Sequence, residues 1–223
     1  MAASYHINPS KYSLQELKND LLNRDLIPSR KSLKEDLETN FQILEGKGIQ
    51  TLGDLITALK NKKRIGEFSS SSSISEKYLT LLRREANSYL PNPVPLDKFS
   101  GFGTSEINKL AAAGIKNSRQ IFELAKNNPD PGSLPAELGI SPETLAELVG
   151  LSDLSRAYGV GPVFARILYD AGVHSINEFR SYTPQQMIDL YESKIGKKAD
   201  FSISDIKFSL DLVQALAIGK EIS

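Results

Sequence analysis

The chain has 223 residues, of which 40% are hydrophobic, and its 27 basic side chains are balanced by 27 acidic ones. This hydrophobic content supports a packed core, and the absence of cysteine excludes disulfides, thiolate metal sites and cysteine nucleophiles. No run of 18 apolar residues occurs, so neither a membrane-spanning helix nor a membrane partner is predicted, and we expect a cytoplasmic protein.

Residues 1–90 are predicted to form an N-terminal helical region. Leucines recur at helical spacing, and Ser13 with Glu16 gives a capping-box pattern before the first helix. Four helices are expected, from Leu14 to Leu22, from Leu33 to Leu44, from Thr51 to about Asn61, and from Ser75 to Tyr89. The basic run at residues 62–64 and the five serines at residues 69–73 together predict a flexible loop.

Prolines at positions 91, 93 and 95 end the last of these helices and predict a boundary between residues 1–90 and residues 91–223. Beyond the boundary, further helices are predicted at Leu134–Leu138, Ser141–Val149, Thr183–Tyr191 and Ser204–Ile218. No segment alternates strictly between apolar and polar residues, as a half-buried strand would. The predicted fold class is therefore all-α, built from many short helices.

Two segments of residues 91–223 repeat one pattern. Gly101–Ile115 and Gly159–Val173 each contain a Gly-x-Gly turn, a short helix and a second glycine. A shift of 58 residues pairs turn and core residues, namely Leu96 with Leu154, Gly101 with Gly159, Gly103 with Gly161, Leu110 with Leu168, Ala113 with Ala171, Gly114 with Gly172 and Ile115 with Val173. A degenerate third copy within residues 1–90 contains Phe41, Leu44, Gly48, Ile49 and Leu55. The repetition predicts duplicated two-helix hairpins.

The turn at Gly159, Val160 and Gly161 is a candidate phosphate-binding site. Glycine reaches positive φ without a steric penalty, so successive amides near the start of the next helix can face one phosphate oxygen. Pro162 suits the first helical position, and Arg166, one turn later, could add an ionic contact.

The turn at Gly101 and Gly103 is a weaker candidate, with Lys109 as its nearby cation and Glu106 as a carboxylate that would repel phosphate. A purely structural interpretation competes at both turns, because any tight connection between helices requires glycine.

Residues around the second turn resemble the helix-hairpin-helix motif of DNA repair and recombination proteins. The resemblance is carried by Gly159-Val160-Gly161-Pro162, Ala165, Leu168 and Ala171-Gly172-Val173. The wider pattern resembles an uncharacterised bacterial family of unknown function with paired helix-hairpin-helix units. Its supporting segments are Leu151–Leu154, Ser175–Phe179, Leu81–Glu85 and Pro93–Leu96. The resemblance implies paired hairpins in residues 91–223 and sequence-independent contact between hairpin amides and a DNA backbone. Many DNA-binding members place a lysine directly after Gly-x-Gly-Pro, where this chain has Val163.

The sequence contains no recognisable catalytic, metal-binding or cofactor-binding pattern. Gly101-Phe102-Gly103 lacks the third glycine and the preceding strand of a dinucleotide fingerprint, and the two histidines, His6 and His174, are far apart in sequence. We expect no enzymatic activity and no cofactor. Two hypotheses stay open: a weak binder of duplex or single-stranded DNA that uses Gly159, Val160, Gly161, Arg166, Gly101, Gly103 and Lys109, or a scaffold that contacts a protein partner.

Overall fold

A computed structural model describes residues 4–128, 132–214 and 216. These residues form thirteen α-helices, two 3-10 helices and no strand, which confirms the all-α prediction. The α-helices are α1 Leu14–Asn23, α2 Leu37–Gly46, α3 Leu52–Ala58, α4 Lys62–Ser72, α5 Glu76–Ser88, α6 Thr104–Ala112, α7 Ser118–Asn127, α8 Leu134–Leu138, α9 Pro142–Leu154, α10 Pro162–Asp170, α11 Ile176–Phe179, α12 Pro184–Ile195 and α13 Ile203–Gln214. The 3-10 helices are Pro28–Lys34 and Leu96–Lys98.

The chain divides into two compact units, Ile7–Leu90 and a second one that combines Met1–His6 with Pro91–Ser223. We call them the first and second units. In the first unit, α1 packs on α2 and α3, and α5 packs on α3, α4 and the 3-10 helix Pro28–Lys34. Its interior also holds the carboxylate of Glu85, which is fully buried and paired with Arg24 and Arg30.

The predicted serine-rich loop is wrong, because residues 62–72 form α4. Asn61 caps the helix by accepting a hydrogen bond from the Arg64 amide at 3.0 Å, and Ile65 is buried on its inner face. The hydroxyl of Ser70 donates to the carbonyl of Gly66 at 2.9 Å, one turn back. Serine hydroxyls that bond back to the helix in this way let a serine run remain helical once a cap and a buried face fix its ends.

The predicted helix from Leu33 to Leu44 is interrupted. Leu33 lies in the 3-10 helix, and Asp36 takes a left-handed conformation with φ 49° before α2 begins. Leu33, Leu37 and Leu44 are nevertheless all buried, as their spacing suggested. The periodicity therefore predicted the buried side chains correctly and the continuity of the backbone incorrectly.

In the second unit, α9 packs against α7, α10 and α11, and α12 packs against α10 and α13. The N-terminal residues contribute to this core: the hydroxyl of Tyr5 lies 2.6 Å from the Ser118 hydroxyl, and the Tyr5 ring meets Phe122 edge-on. The last predicted helix is present from Ile203 to Gln214, and its predicted extension to Ile218 lies outside the described residues.

The three repeated segments have the same backbone pattern where the first helix of each ends. Gly48, Gly114 and Gly172 have φ values of 84°, 83° and 92°. In each copy the amide after that glycine bonds back to a helical carbonyl, at 3.1 Å for Ile49, 2.9 Å for Ile115 and 2.9 Å for Val173. Two residues later a side chain caps the next helix, from Thr51, Asn117 and Ser175 in turn. Shared turn and cap residues thus produce shared local geometry in both units.

Candidate nucleic-acid interface

The second glycine turn joins α9 to α10 on the surface. Gly159 has φ 77°, a value that favours glycine, and Gly161 caps α10 with φ −80° and ψ 179°. Both glycines are exposed, whereas the Val160 side chain between them is buried. Pro162 occupies the first helical position, as predicted. The turn therefore presents backbone to solvent while its single side chain anchors it to the core.

Several amides at this turn have no acceptor. The N–H of Val160 bonds to the carbonyl of Ala157 at 3.1 Å. The N–H groups of Gly159, Gly161, Val163 and Phe164 make no hydrogen bond with any residue that the structure describes. The last three surround the N-terminus of α10, where the helix carries partial positive charge. This group can accept an anion without breaking an internal bond.

Arg166 does not extend into solvent. Its side chain is only 14% exposed and contacts Glu147 at 2.5 Å and Asp170 at 3.2 Å. Nη2 also donates to the carbonyl oxygen of Ser100 at 2.6 Å. Because two carboxylates and a carbonyl already surround the guanidinium, its charge is largely neutralised inside the protein.

The first glycine turn has φ angles similar to those of the second, but the side chain of Glu106 closes it. Gly101 has φ 100° and Gly103 caps α6 with φ −75°. The Gly103 amide donates to a carboxylate oxygen of Glu106 at 2.9 Å, and the Thr144 hydroxyl donates to the other oxygen at 2.8 Å. These two hydrogen bonds hold the pKa of Glu106 below its usual value of 4.5. An internal carboxylate therefore already accepts a hydrogen bond from the Gly103 amide that was predicted to contact phosphate.

Lys109 is exposed, and its ammonium group donates to the carbonyl of Gly139 at 2.6 Å. That carbonyl follows α8, where the C-terminal end of a helix attracts cations. Lys109 thus connects α6 to the end of α8. A second basic residue near the turns, Arg156, is buried and ion-paired with Asp153.

The structure brings the two turns together through Arg166. A Cβ built on Gly101 would lie 3.0 Å from Arg166 Nη2 and 3.5 Å from a carboxylate oxygen of Glu147. Ser100 and Glu147 were not predicted as site residues, since nothing in their local sequence distinguishes them. The described residues contain no cluster that could hold a metal ion and no helix long and apolar enough to cross a membrane.

Residues 100–199 match the family described as Domain of unknown function (DUF4332). The matched segment begins just before the first glycine turn and includes both turns, together with α6 to α12. It does not include Leu81–Glu85 or Pro93–Leu96, two segments that carried part of the predicted resemblance. No curated protein and no solved structure matches the chain. The resemblance to a family of unknown function is thus confirmed for this segment, and the helix-hairpin-helix assignment stays a prediction.

Proposed function

We propose that the chain is a non-catalytic helix-hairpin-helix protein that binds a nucleic-acid backbone weakly and without sequence preference. The contact is made by the turn from Gly159 to Phe164. The observation that carries this proposal is the set of amides at Gly161, Val163 and Phe164, none of which has an acceptor among the described residues. Amides at a helix N-terminus are a common site for one phosphate group.

The two turns have different roles in this proposal. The second turn contacts phosphate, because its amides are open. The first turn, closed by Glu106, supports it through the link between Ser100 and Arg166. Since the Arg166 guanidinium is already surrounded by acceptors, it displaces few counterions from phosphate, so the affinity is expected to be low and its dependence on salt shallow.

Val163 offers a direct test of the contact. Its side chain is 73% exposed and directly follows Pro162, so a substitution there leaves the core unchanged. The Val163→Lys variant adds a cation beside the open amides. We expect it to bind a fluorescently labelled duplex of about 20 base pairs several-fold more tightly, with a salt dependence steeper by about one phosphate contact. Fluorescence anisotropy at about 20 mM and about 300 mM salt measures both quantities.

Thr39→Lys provides the matched control, because Thr39 is an exposed residue of α2 in the other unit and the charge change is the same. Its affinity should stay near that of the wild type. Val163→Glu should abolish binding, since a carboxylate would stand beside the phosphate. If Val163→Lys and Thr39→Lys raise the affinity equally, the effect is one of total charge and the site assignment is wrong.

A second candidate function is a scaffold that binds a protein partner through the same turn. The observation in its favour is Val163 itself, an apolar side chain that is 73% exposed. Absence of DNA binding at micromolar concentration in low salt would remove the first candidate. Affinity capture in which the wild type retains a partner that Val163→Lys loses would then support the second.

A further inference from the structure

We propose that three aromatic side chains beside the second turn, Phe164, Tyr191 and Phe201, form a stacking site for a base of single-stranded nucleic acid. We call these residues the aromatic cluster. The inference rests on the proposed function for the phosphate contact and adds to it a class of ligand.

The cluster is formed by residues from three parts of the second unit. Phe164 lies in α10, Tyr191 in α12 and Phe201 just before α13. The ring centroids are 5.6 Å apart for Phe164 and Tyr191, 5.4 Å for Phe164 and Phe201, and 4.9 Å for Tyr191 and Phe201. All three side chains remain partly exposed, unlike the fully buried Phe179 in the same unit. The rings therefore hold one another in place at the surface.

The Tyr191 hydroxyl makes no hydrogen bond with the described residues. Buried tyrosines usually satisfy this group within the protein, as Tyr5 does with Ser118. The Tyr191 hydroxyl thus reaches solvent. Rigid, partly exposed aromatic rings of this kind are the usual platform on which unpaired bases stack.

Phe164 connects the cluster to the phosphate site. Its amide is one of the three open N–H groups at the start of α10, and its ring is part of the cluster. Phe164 therefore belongs both to the open amides and to the aromatic cluster. A phosphate bound at these amides would place its nucleotide next to the rings.

The local charge also favours a polyanion. Lys197 and Lys198 are exposed, lie in the connection before Phe201, and form no ion pair with the described residues. The carboxylates on the same stretch are Glu192, which accepts a hydrogen bond from the Ala199 amide at 2.9 Å, and Asp200. Lys194 donates to the carbonyl of Asp170 at 2.9 Å. The segment from Tyr191 to Phe201 thus carries three basic and two acidic side chains.

A single strand fits this arrangement better than a duplex does. In a duplex the π-faces of the bases are covered by their neighbours, so only the backbone and the base edges in the grooves are available to a protein, and no base can stack on a side chain. In a single strand the faces are accessible, and stacking on an aromatic side chain adds to the affinity without requiring a particular base. We therefore expect a preference for single strands over duplex of the same length.

Tyr191→Trp tests the proposal directly, because the chain contains no tryptophan and the variant has a single reporter fluorophore. Titration with single strands of about 15 thymidines, or the same length of uridines, should quench its emission, since a stacked base quenches indole fluorescence. Tyr182→Trp, at another partly exposed tyrosine of the second unit, is the matched control and should not be quenched. The two strands show whether DNA and RNA bind alike.

The Phe201→Leu variant provides an independent measurement. It keeps an apolar side chain but removes a ring. It should therefore bind the single strand about tenfold more weakly than the wild type does, and its affinity for the duplex should be unchanged. An abasic strand of equal length should bind the wild type as weakly as Phe201→Leu binds the thymidine strand. Thermal unfolding of each variant verifies that the fold is intact.

The outcomes separate this inference from the proposed function. If single strand and duplex bind but Tyr191→Trp is not quenched and Phe201→Leu keeps its affinity for the single strand, the stacking site is refuted and the backbone contact stands. If neither nucleic acid binds in low salt, both are refuted. Quenching by the thymidine strand together with failure of the abasic strand to quench supports the stacking site.

Discussion

Arg166 of α10 donates a hydrogen bond from Nη2 to the carbonyl oxygen of Ser100 over 2.6 Å. The same guanidinium contacts Glu147 of α9 at 2.5 Å. Because Ser100 lies directly before the first glycine turn, a single side chain connects that turn to the two helices that flank the second turn. The residue predicted to contact phosphate therefore has an internal function that depends on three different segments of the chain.

Replacing Arg166 with leucine should lower the free energy of unfolding by about 1–2 kcal/mol, because the variant leaves the partly buried Glu147 carboxylate and the Ser100 carbonyl without their donor. Urea denaturation followed by circular dichroism measures the change. Arg119→Leu is the control, since Arg119 pairs with Glu123 on one helix at side-chain exposures of 52% and 45%. A pair of this kind contributes less than about 1 kcal/mol. Equal losses in both variants would contradict the assigned role.

Replacement by alanine should reduce the stability of the protein much more at Gly150 than at Gly161. A Cβ on Gly150 would lie 2.6 Å from the carbonyl oxygen of His174 and 2.6 Å from the Tyr169 ring, so Gly150→Ala should cost about 1–3 kcal/mol. A Cβ on Gly161 would meet nothing within 4 Å and its φ of −80° suits any residue, so Gly161→Ala should cost at most about 1 kcal/mol, the difference between glycine and alanine at a helix N-cap. Thermal unfolding compares the two. A large loss for Gly161→Ala would show that the turn depends on glycine there.

The local structure of the turns was predictable because it depends on neighbouring residues. The Ser13–Glu16 capping box and Pro162 at the first position of α10 are present as their sequence patterns indicated. The positive φ of Gly101 and Gly159 was also predictable, because glycine in a tight turn reaches positive φ without a steric penalty. Patterns of this kind involve residues within about four positions of each other, which a single sequence contains in full.

The contacts that define the candidate site were not predictable, because they join distant segments. Arg166 meets Ser100 and Glu147 only after α9 and α10 have packed together. The close approach at Gly150 likewise depends on Tyr169 of α10 and on His174, which follows that helix. In α4 the composition of the serine run predicted a loop, but the cap at Asn61 and the burial of Ile65 outweighed it. Tertiary packing thus changed both the state of a segment and the role of a predicted site residue.

The stability of the second unit should fall in mild acid because of His6. Burial, together with the charges of Arg119 and Arg156, lowers the pKa of His6 below its usual value of 6.5. In the unfolded chain His6 then binds a proton at about pH 6.5, whereas in the folded chain its imidazole stays neutral at that pH. The stabilising contribution is therefore complete above that pH and is lost as the pH falls toward the lower, folded pKa.

Denaturation of the wild type and of His6→Gln at pH 8 and pH 5 tests this expectation. The wild type should lose more stability than the variant between the two values. His174→Gln, which changes an exposed histidine, serves as the control and should retain the wild-type pH profile. A parallel loss in the wild type and His6→Gln would show that His6 is not responsible.

Glu106 should weaken any contact with nucleic acid. Glu106→Gln keeps an oxygen that can accept a hydrogen bond from the Gly103 amide but removes the negative charge at the first turn. The affinity for duplex DNA should rise about two- to threefold at low salt, and the difference should disappear at about 300 mM salt because the effect is electrostatic. Fluorescence anisotropy titration measures both affinities.

Glu143→Gln is the matched control, because Glu143, like Glu106, lies in the first turn of a helix and carries the same charge. An equal rise in that variant would mean that total charge, and not the turn, governs binding.

The hydrogen bonds from Gly103 and Thr144 keep the pKa of Glu106 below 4.5, so its carboxylate is ionised throughout the range from pH 5 to pH 8. The gain from Glu106→Gln should therefore be constant across that range, and a gain that fades toward pH 5 would point to a different titrating group at the interface.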